Sequence, residues 1–353
     1  MSDPRTPIKS LSFEEIEARL GALGQPGYRA KQVVEWIYGK RAKAFEGMSN
    51  LPAELRRQLA EAFVFDDLEP VRVLGSEDTT RKFLFRLADG ALIESVLIPA
   101  SPALYGEASD RRTICISTQV GCAYGCKFCA SGLDGWSRNL QAGEIVEQVL
   151  RVEELSGEKI NNIVFMGMGE PLANFANVMK AIGIINAPWG VGLGARHITL
   201  STSGLAPQIR QLAEQPLQVR LAISLHGATD EVREQIMPVN RKYPLAVLLE
   251  ACAYYTQKKK QRLTFEYILI DGVNDRPADA AALVRVVRAV NAKVNCIPYN
   301  RVEGLPWERP SETRQDAFMA VLDAARIPAT IRREKGHDIA AACGQLRRQT
   351  MPA

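Results

Sequence analysis

The first hundred residues alternate differently from those that follow. Apolar positions recur at helical spacing over 12–20, where Ser12 and Glu15 stand at capping-box distance. They recur again over 29–38, after the Gly24-Gln25-Pro26-Gly27 breaker, and over 52–63. Residues 81–87 and 91–98 then alternate like the arms of a hairpin around Ala88-Asp89-Gly90. From about residue 111 short β-rich runs take turns with helical patterns. Strands are expected at 113–117, 162–167, 197–201, 219–224, 263–270 and 293–298. Helices are expected at 143–155, 174–185, 206–215, 244–257 and 278–290, and a last helix at 312–325 leads into a strand at 329–333. This alternation predicts parallel βαβ units. No GxGxxG follows the first strand, so a partial (β/α)6 barrel is preferred to an open sheet. The domain reading is a helical module over 1–75, a hairpin linker over 76–110 and a barrel with a terminal segment over 111–353.

With 353 residues, 46% of them hydrophobic, the chain can bury a full core. A formal net charge of +4 permits a nucleic-acid partner without demanding one. No apolar run reaches the length of a membrane span, and Met1 leads into Ser-Asp-Pro-Arg rather than a secretory signal. A cytoplasmic protein is therefore expected, and its seven cysteines are expected to be reduced.

Three of those cysteines stand in one loop after the first barrel strand, as Cys122-Ala-Tyr-Gly-Cys126-Lys-Phe-Cys129. Three thiolates can hold three irons of a cubane and leave the fourth open to a ligand. The alternatives are a zinc site, which would want a fourth ligand absent nearby, or buried inert thiols. Gly167-Met168-Gly169-Glu170-Pro171 follows the second barrel strand and reads equally as a ligand loop or a tight turn with a capping Glu. Ser201-Thr202-Ser203-Gly204, Ser224-Leu225-His226-Gly227 and Asn300 follow later strands, and each alone fits a cap or turn. Four polar turns at successive strand ends, on the side of the cysteines, point to a cofactor site. Cys252 and Cys296 sit among apolar positions and are expected in the core. Cys115 alternates with Ile114 and Ile116 and could face either way, Cys343 lies in a helix-like Ala-Ala-Cys-Gly stretch, and Glu94 alone reads as a solvated strand residue.

CxxxCxxC with an aromatic before the last cysteine resembles the signature of the radical S-adenosylmethionine superfamily. The whole chain resembles the RlmN/Cfr family of radical RNA methyltransferases. The resemblance runs through Tyr28-Arg29-Ala30-Lys31-Gln32, Gln119-Val120-Gly121-Cys122, Arg138-Asn139-Leu140, Gly169-Glu170-Pro171-Leu172, Met237-Pro238-Val239-Asn240 and the stretch from Asp338 to Leu346. The serine loops of the preceding paragraph match as well. Cfr-like sequences carry Cys and Ala where this chain has Val120 and Pro171, so the RlmN side is preferred, with methylation at carbon 2 of adenosine rather than carbon 8.

The resemblance implies a [4Fe-4S] cluster on Cys122, Cys126 and Cys129. It also implies S-adenosylmethionine, used twice per turnover, against Gly169, Glu170, Ser201, Ser224, Leu225, His226 and Asn300. Cys343 would carry a methyl group, Cys115 would resolve the RNA-linked intermediate, and Glu94 would take the carbon 2 proton. The implied partners are 23S ribosomal RNA, transfer RNA beside the anticodon, an electron donor and a disulfide reductant, acting on a monomer. Flipping of the target base or local unfolding of the RNA follows from the chemistry. RNA-facing candidates are Arg29, Lys31, Lys40, Arg41 and Lys43, then Lys258, Lys259, Lys260, Arg332, Arg333, Lys335, Arg347 and Arg348. A non-catalytic, cluster-bearing RNA-binding protein is the alternative from another class.

Overall fold

The computed structural model describes residues 5–65, 67–77, 79–100, 110–332, 338–341 and 345. Its centre is a ten-stranded sheet whose spatial order follows the chain. The strands are β1 (Glu69–Gly75), β2 (Arg81–Arg86), β3 (Leu92–Pro99), β4 (Arg112–Cys115), β5 (Asn162–Phe165), β6 (Ile198–Thr202), β7 (Arg220–Ser224), β8 (Thr264–Leu269), β9 (Lys293–Pro298) and β10 (Ala329–Ile331). β1 to β4 pair antiparallel and β4 to β10 pair parallel. The parallel half is the expected partial barrel. Its inner strands are buried on both faces, which is why Leu221, Ala222 and Ile223 read as an unbroken apolar run.

The helices are α1 (Phe13–Ala22), α2 (Tyr28–Val34), α3 (Ala53–Ala62), α4 (Ala142–Ser156), α5 (Phe175–Asn186), α6 (Ala206–Ala213), α7 (Asp230–Ile236), α8 (Leu245–Lys259), α9 (Pro277–Val290) and α10 (Glu312–Ala324). The capping box at α1 forms: the Glu15 amide donates to Ser12 Oγ and the Ser12 amide to the Glu15 carboxylate, at 3.3 and 2.7 Å. α2 continues through a π-helical turn, Glu35–Gly39, and so matches the expected helix over 29–38.

Two expectations are corrected. The hairpin is not a free linker. β2 and β3 belong to an antiparallel meander with β1, and β3 pairs directly with the first barrel strand, Val96 against Cys115. β1 falls inside the stretch 1–75, expected to be mainly helical. It is a mostly exposed edge strand with Pro70 and a bulge, so it offers no buried alternating face to betray it. α7 was not anticipated either; seven residues are too few for a clear helical period.

The amino-terminal helices share one apolar core with the barrel, Ile8, Leu20, Val33 and Leu59 lying in the same buried cluster as Ile145 and Val149. Buried Lys9 pairs with Glu147 of α4 at 2.7 Å. Arg41 and Lys43 pair with Glu153 and Glu154 of α4, so these two candidate RNA cations are engaged in docking the module. Among the described residues no helix is long and apolar enough to cross a membrane.

Candidate active site

A cleft of about 940 Å³, including its open mouth, lies at the carboxyl ends of the parallel strands. That is the end where barrel enzymes keep their chemistry. Cys122, Cys126 and Cys129 form one side of it. Their loop is pinned at several points. A two-stranded ribbon, Gln119–Gly121 against Trp136–Asn139, closes its base. Gly121 has φ +75°, and a Cβ there would stand 1.9 Å from the Gly135 carbonyl oxygen, so only glycine fits. The Lys127 amide donates to the Ile236 carbonyl and the Trp307 indole to the Lys127 carbonyl, both at 2.9 Å.

Burial pushes the Cys122 thiol up to about 12, reinforced by Cys129 and Glu170, and burial with its two sister thiols pushes Cys126 well above its usual value. Three thiolates crowded there need a cation to balance them, which suits an iron cluster. Among the described residues no three His, Cys, Asp or Glu side chains are grouped to hold a single metal ion. Cys122, Cys126 and Cys129 are the residues that would hold an iron–sulfur cluster in this cleft.

The opposite wall comes from the predicted loops. Gly169, Glu170, Ser201, Ser224 and His226 all line the cleft. Gly169 has φ +99°, and its missing side chain lets the loop press against Gln119, 2.5 Å from where a Cβ would sit. The Glu170 carboxylate accepts from the amides of Leu172 and Ser203 at 3.0 and 2.7 Å. Burial nevertheless raises its pKa. Leu225 and Asn300 are buried nearby but are not part of the cleft wall.

His226 takes a left-handed backbone (φ +55°) and its Nδ1 accepts from the Ile268 amide at 3.0 Å. Burial, then the charge of Arg233, lowers its pKa to about 3. The ring is thus neutral, with its proton on Nε2. Phe128 meets it edge-on, at 4.8 Å between ring centroids.

Sequence reasoning missed Arg233, on the unforeseen α7. Its guanidinium is wholly buried with four carbonyl-type partners: Asn240 Oδ1 at 2.9 Å, Ser203 O at 3.2 Å, Ser224 O at 3.3 Å and Leu225 O. It therefore ties two cleft-lining loops together. The Met237-Pro238-Val239-Asn240 motif was the visible signal, for Asn240 holds both Arg233 and Asp230. Glu266 also lines the cleft and was not singled out, while Phe128 and Ser203 line it too and were read only as parts of their motifs.

Beside the cleft, one face of β2–β5 carries the other predicted residues. Cross-strand register puts Lys82 opposite Val96, Leu84 opposite Glu94, and Cys115 between Val96 and Val164. All therefore share a face. Cys115 is buried in a cluster with Val96, Met168 and Ala341, packed by Met166, which also lines the cleft. Glu94 is 2% exposed and ion-paired with Lys82 at 3.2 Å, so it is not the solvated strand residue that its position alone suggested. Cys343 lies outside the described residues. On one side of it, Asp338 accepts from Ser76 Oγ at 2.6 Å; on the other, Gln345 donates to the Arg301 carbonyl at 3.0 Å. Arg333, Lys335, Arg347 and Arg348 also lie outside the described residues. Cys252 and Cys296 are fully buried in the core, as expected.

The model of the radical SAM superfamily matches residues 116–284, and that of the ribosomal RNA large subunit methyltransferase N-terminal domain matches 7–65. A probable dual-specificity RNA methyltransferase RlmN from Akkermansia muciniphila is 55% identical, covering 98% of this chain and 96% of its own. The dual-specificity RNA methyltransferase RlmN of Syntrophus aciditrophicus is 47% identical, covering 97% and 96%. The crystal structure of a radical SAM methyltransferase from Sphaerobacter thermophilus superposes with a TM-score of 0.90 at 45% identity, covering 97% and 99%. Matched end to end by these proteins and built around the same fold, the chain belongs to the RlmN family of radical S-adenosylmethionine RNA methyltransferases.

Proposed function

We propose that this enzyme methylates carbon 2 of one adenosine in 23S ribosomal RNA, and of an adenosine beside the anticodon in transfer RNA, through a methyl group carried on Cys343. Two RNA classes accord with relatives named as dual-specificity enzymes. Cys122, Cys126 and Cys129 would hold a [4Fe-4S] cluster. Gly169, Glu170, Ser201, Ser224 and His226 would hold S-adenosylmethionine, with Leu225 and Asn300 behind them. Bound there, cluster and cofactor supply a 5′-deoxyadenosyl radical, at two cofactor molecules per turnover.

The chain's own residues do the rest. Cys343 is the methyl carrier and becomes joined to the base through its methylene. The adduct radical gives up its unpaired electron to a one-electron acceptor, and the Glu94 carboxylate, facing the Lys82 ammonium, takes the carbon 2 proton. Cys115, as thiolate, attacks the Cys343 sulfur; the bond from that sulfur to the methylene breaks with its electron pair passing to the methylene, stabilised by the adenine ring, which takes a proton from water to become the methyl group as the base leaves. A Cys115–Cys343 disulfide remains for an external reductant, and an external donor supplies the electron that starts each radical step.

One observation carries this reading: Cys115 packs with Ala341, two residues ahead of Cys343, on the face that bears Glu94. Nucleoside mass spectrometry after reaction with ribosomal RNA tests it. 2-Methyladenosine is expected. 8-Methyladenosine would assign the Cfr-like chemistry, and no 5′-deoxyadenosine at all would leave an RNA-binding protein.

A further inference from the structure

The face that bears Glu94 and Cys115 carries a second charged residue with no assigned task. Lys82 of β2 is 4% exposed, and Glu94 beside it 2%. A buried ammonium is tolerated only where its donors find partners. Lys82 Nζ finds two: Glu94 Oε1 and the Ala340 carbonyl oxygen, each at 3.2 Å. The second lies 258 positions along the chain and three residues before Cys343. Ala340 itself has φ +49°, a left-handed conformation that an L side chain rarely adopts. Its carbonyl oxygen thus meets, from a backbone turn, a cation that also faces Glu94. Asp338, two residues earlier, is tied separately to the β1–β2 turn through Ser76 Oγ and the Glu77 amide. Ala341, one residue later, packs on Cys115.

A buried pair serving only stability has no need of a third partner on the segment that bears the methyl carrier. The geometry points to Lys82 as a positioning residue: it holds the Cys343-bearing segment in register with the Glu94 carboxylate, so that proton removal and resolution by Cys115 occur at one place. This rests on the relay proposed above. Lys82 forms and breaks no bond in it.

The test uses cluster-loaded full-length protein with ribosomal RNA, S-adenosylmethionine and a chemical reductant. Its readout is the ratio of 2-methyladenosine to 5′-deoxyadenosine. In Lys82→Met that ratio falls roughly tenfold to a hundredfold, the worth of a buried charge-assisted hydrogen bond. Cluster content and 5′-deoxyadenosine formation are kept. Lys82→Arg, which retains charge and donors, restores most of the ratio. A role in folding alone would instead lower cluster content and both products together. Should Lys82→Met fail to fold because it strands a buried carboxylate, Lys82→Met/Glu94→Gln removes both charges and is compared with Glu94→Gln. The double variant is expected to be roughly threefold or more below the single, because the Ala340 tether is lost as well. A wild-type ratio in Lys82→Met, or a double variant equal to Glu94→Gln, overturns the inference. A wild-type enzyme that makes 5′-deoxyadenosine but no 2-methyladenosine overturns the relay on which it rests.

Discussion

At the cleft the functional side chains come from turns a few residues long, each following its own strand. On the neighbouring face of β2–β4, Lys82, Glu94 and Cys115 come from three different strands and meet a segment that returns from the end of the chain. The first kind of site is written in contiguous motifs, because a tight strand-end turn needs glycines and short polar residues at set places. The second exists only through sheet register, where a slip of one residue would send each side chain to the other face. In the proposed reaction the cleft would assemble a radical initiator common to many chemistries, and the sheet face would decide what the radical is used for.

The largest effects should separate the two regions. Cys126→Ala is expected to lose both 5′-deoxyadenosine and methylated RNA, seen by chromatography of the reaction. Glu94→Gln should keep the first and lower the second by about 100-fold to 10,000-fold, the usual worth of a general base. If both variants lost both products alike, the division between initiator and carrier would fail.

Within the cleft, Arg233→Met leaves the carbonyls of Ser203, Ser224 and Leu225 without their buried donor. It should cost about 3 kcal/mol in denaturant unfolding and weaken S-adenosylmethionine binding by calorimetry. Unchanged cofactor affinity would show that the loops hold their shape alone. Gly169→Ala forces an L side chain into φ +99° against Gln119 and should cost about 2 kcal/mol, with a raised KM for the cofactor. Smallest is Ser12→Ala, which removes the cap of α1 far from both regions. About 1 kcal/mol of stability should go, with the product ratio untouched.

The same contrast explains what could be read without coordinates. The seven parallel strands and the longer helices between them were legible because apolar β-rich runs and amphipathic helices carry plain periodicities, whereas the seven-residue α7 does not. Edge strand β1, largely exposed and broken by Pro70, carries none. Gly169, Glu170, Ser201, Ser224 and His226 were found as motifs. Arg233 was not, because a buried arginine that pairs with carbonyl oxygens leaves no complementary acid in the sequence. Glu94 looked solvated because its burial depends on Lys82, twelve residues away on another strand. Lys82 itself looked like any surface lysine.

The claim that Cys115 closes the cycle has one direct test. Cys115→Ala, loaded with cluster and given S-adenosylmethionine, reductant and RNA, should form 5′-deoxyadenosine and then stop. The RNA should remain covalently attached through Cys343 under denaturing electrophoresis, and peptide mass spectrometry should locate the link. Multiple turnovers to free 2-methyladenosine by this variant, with no adduct, would contradict the account.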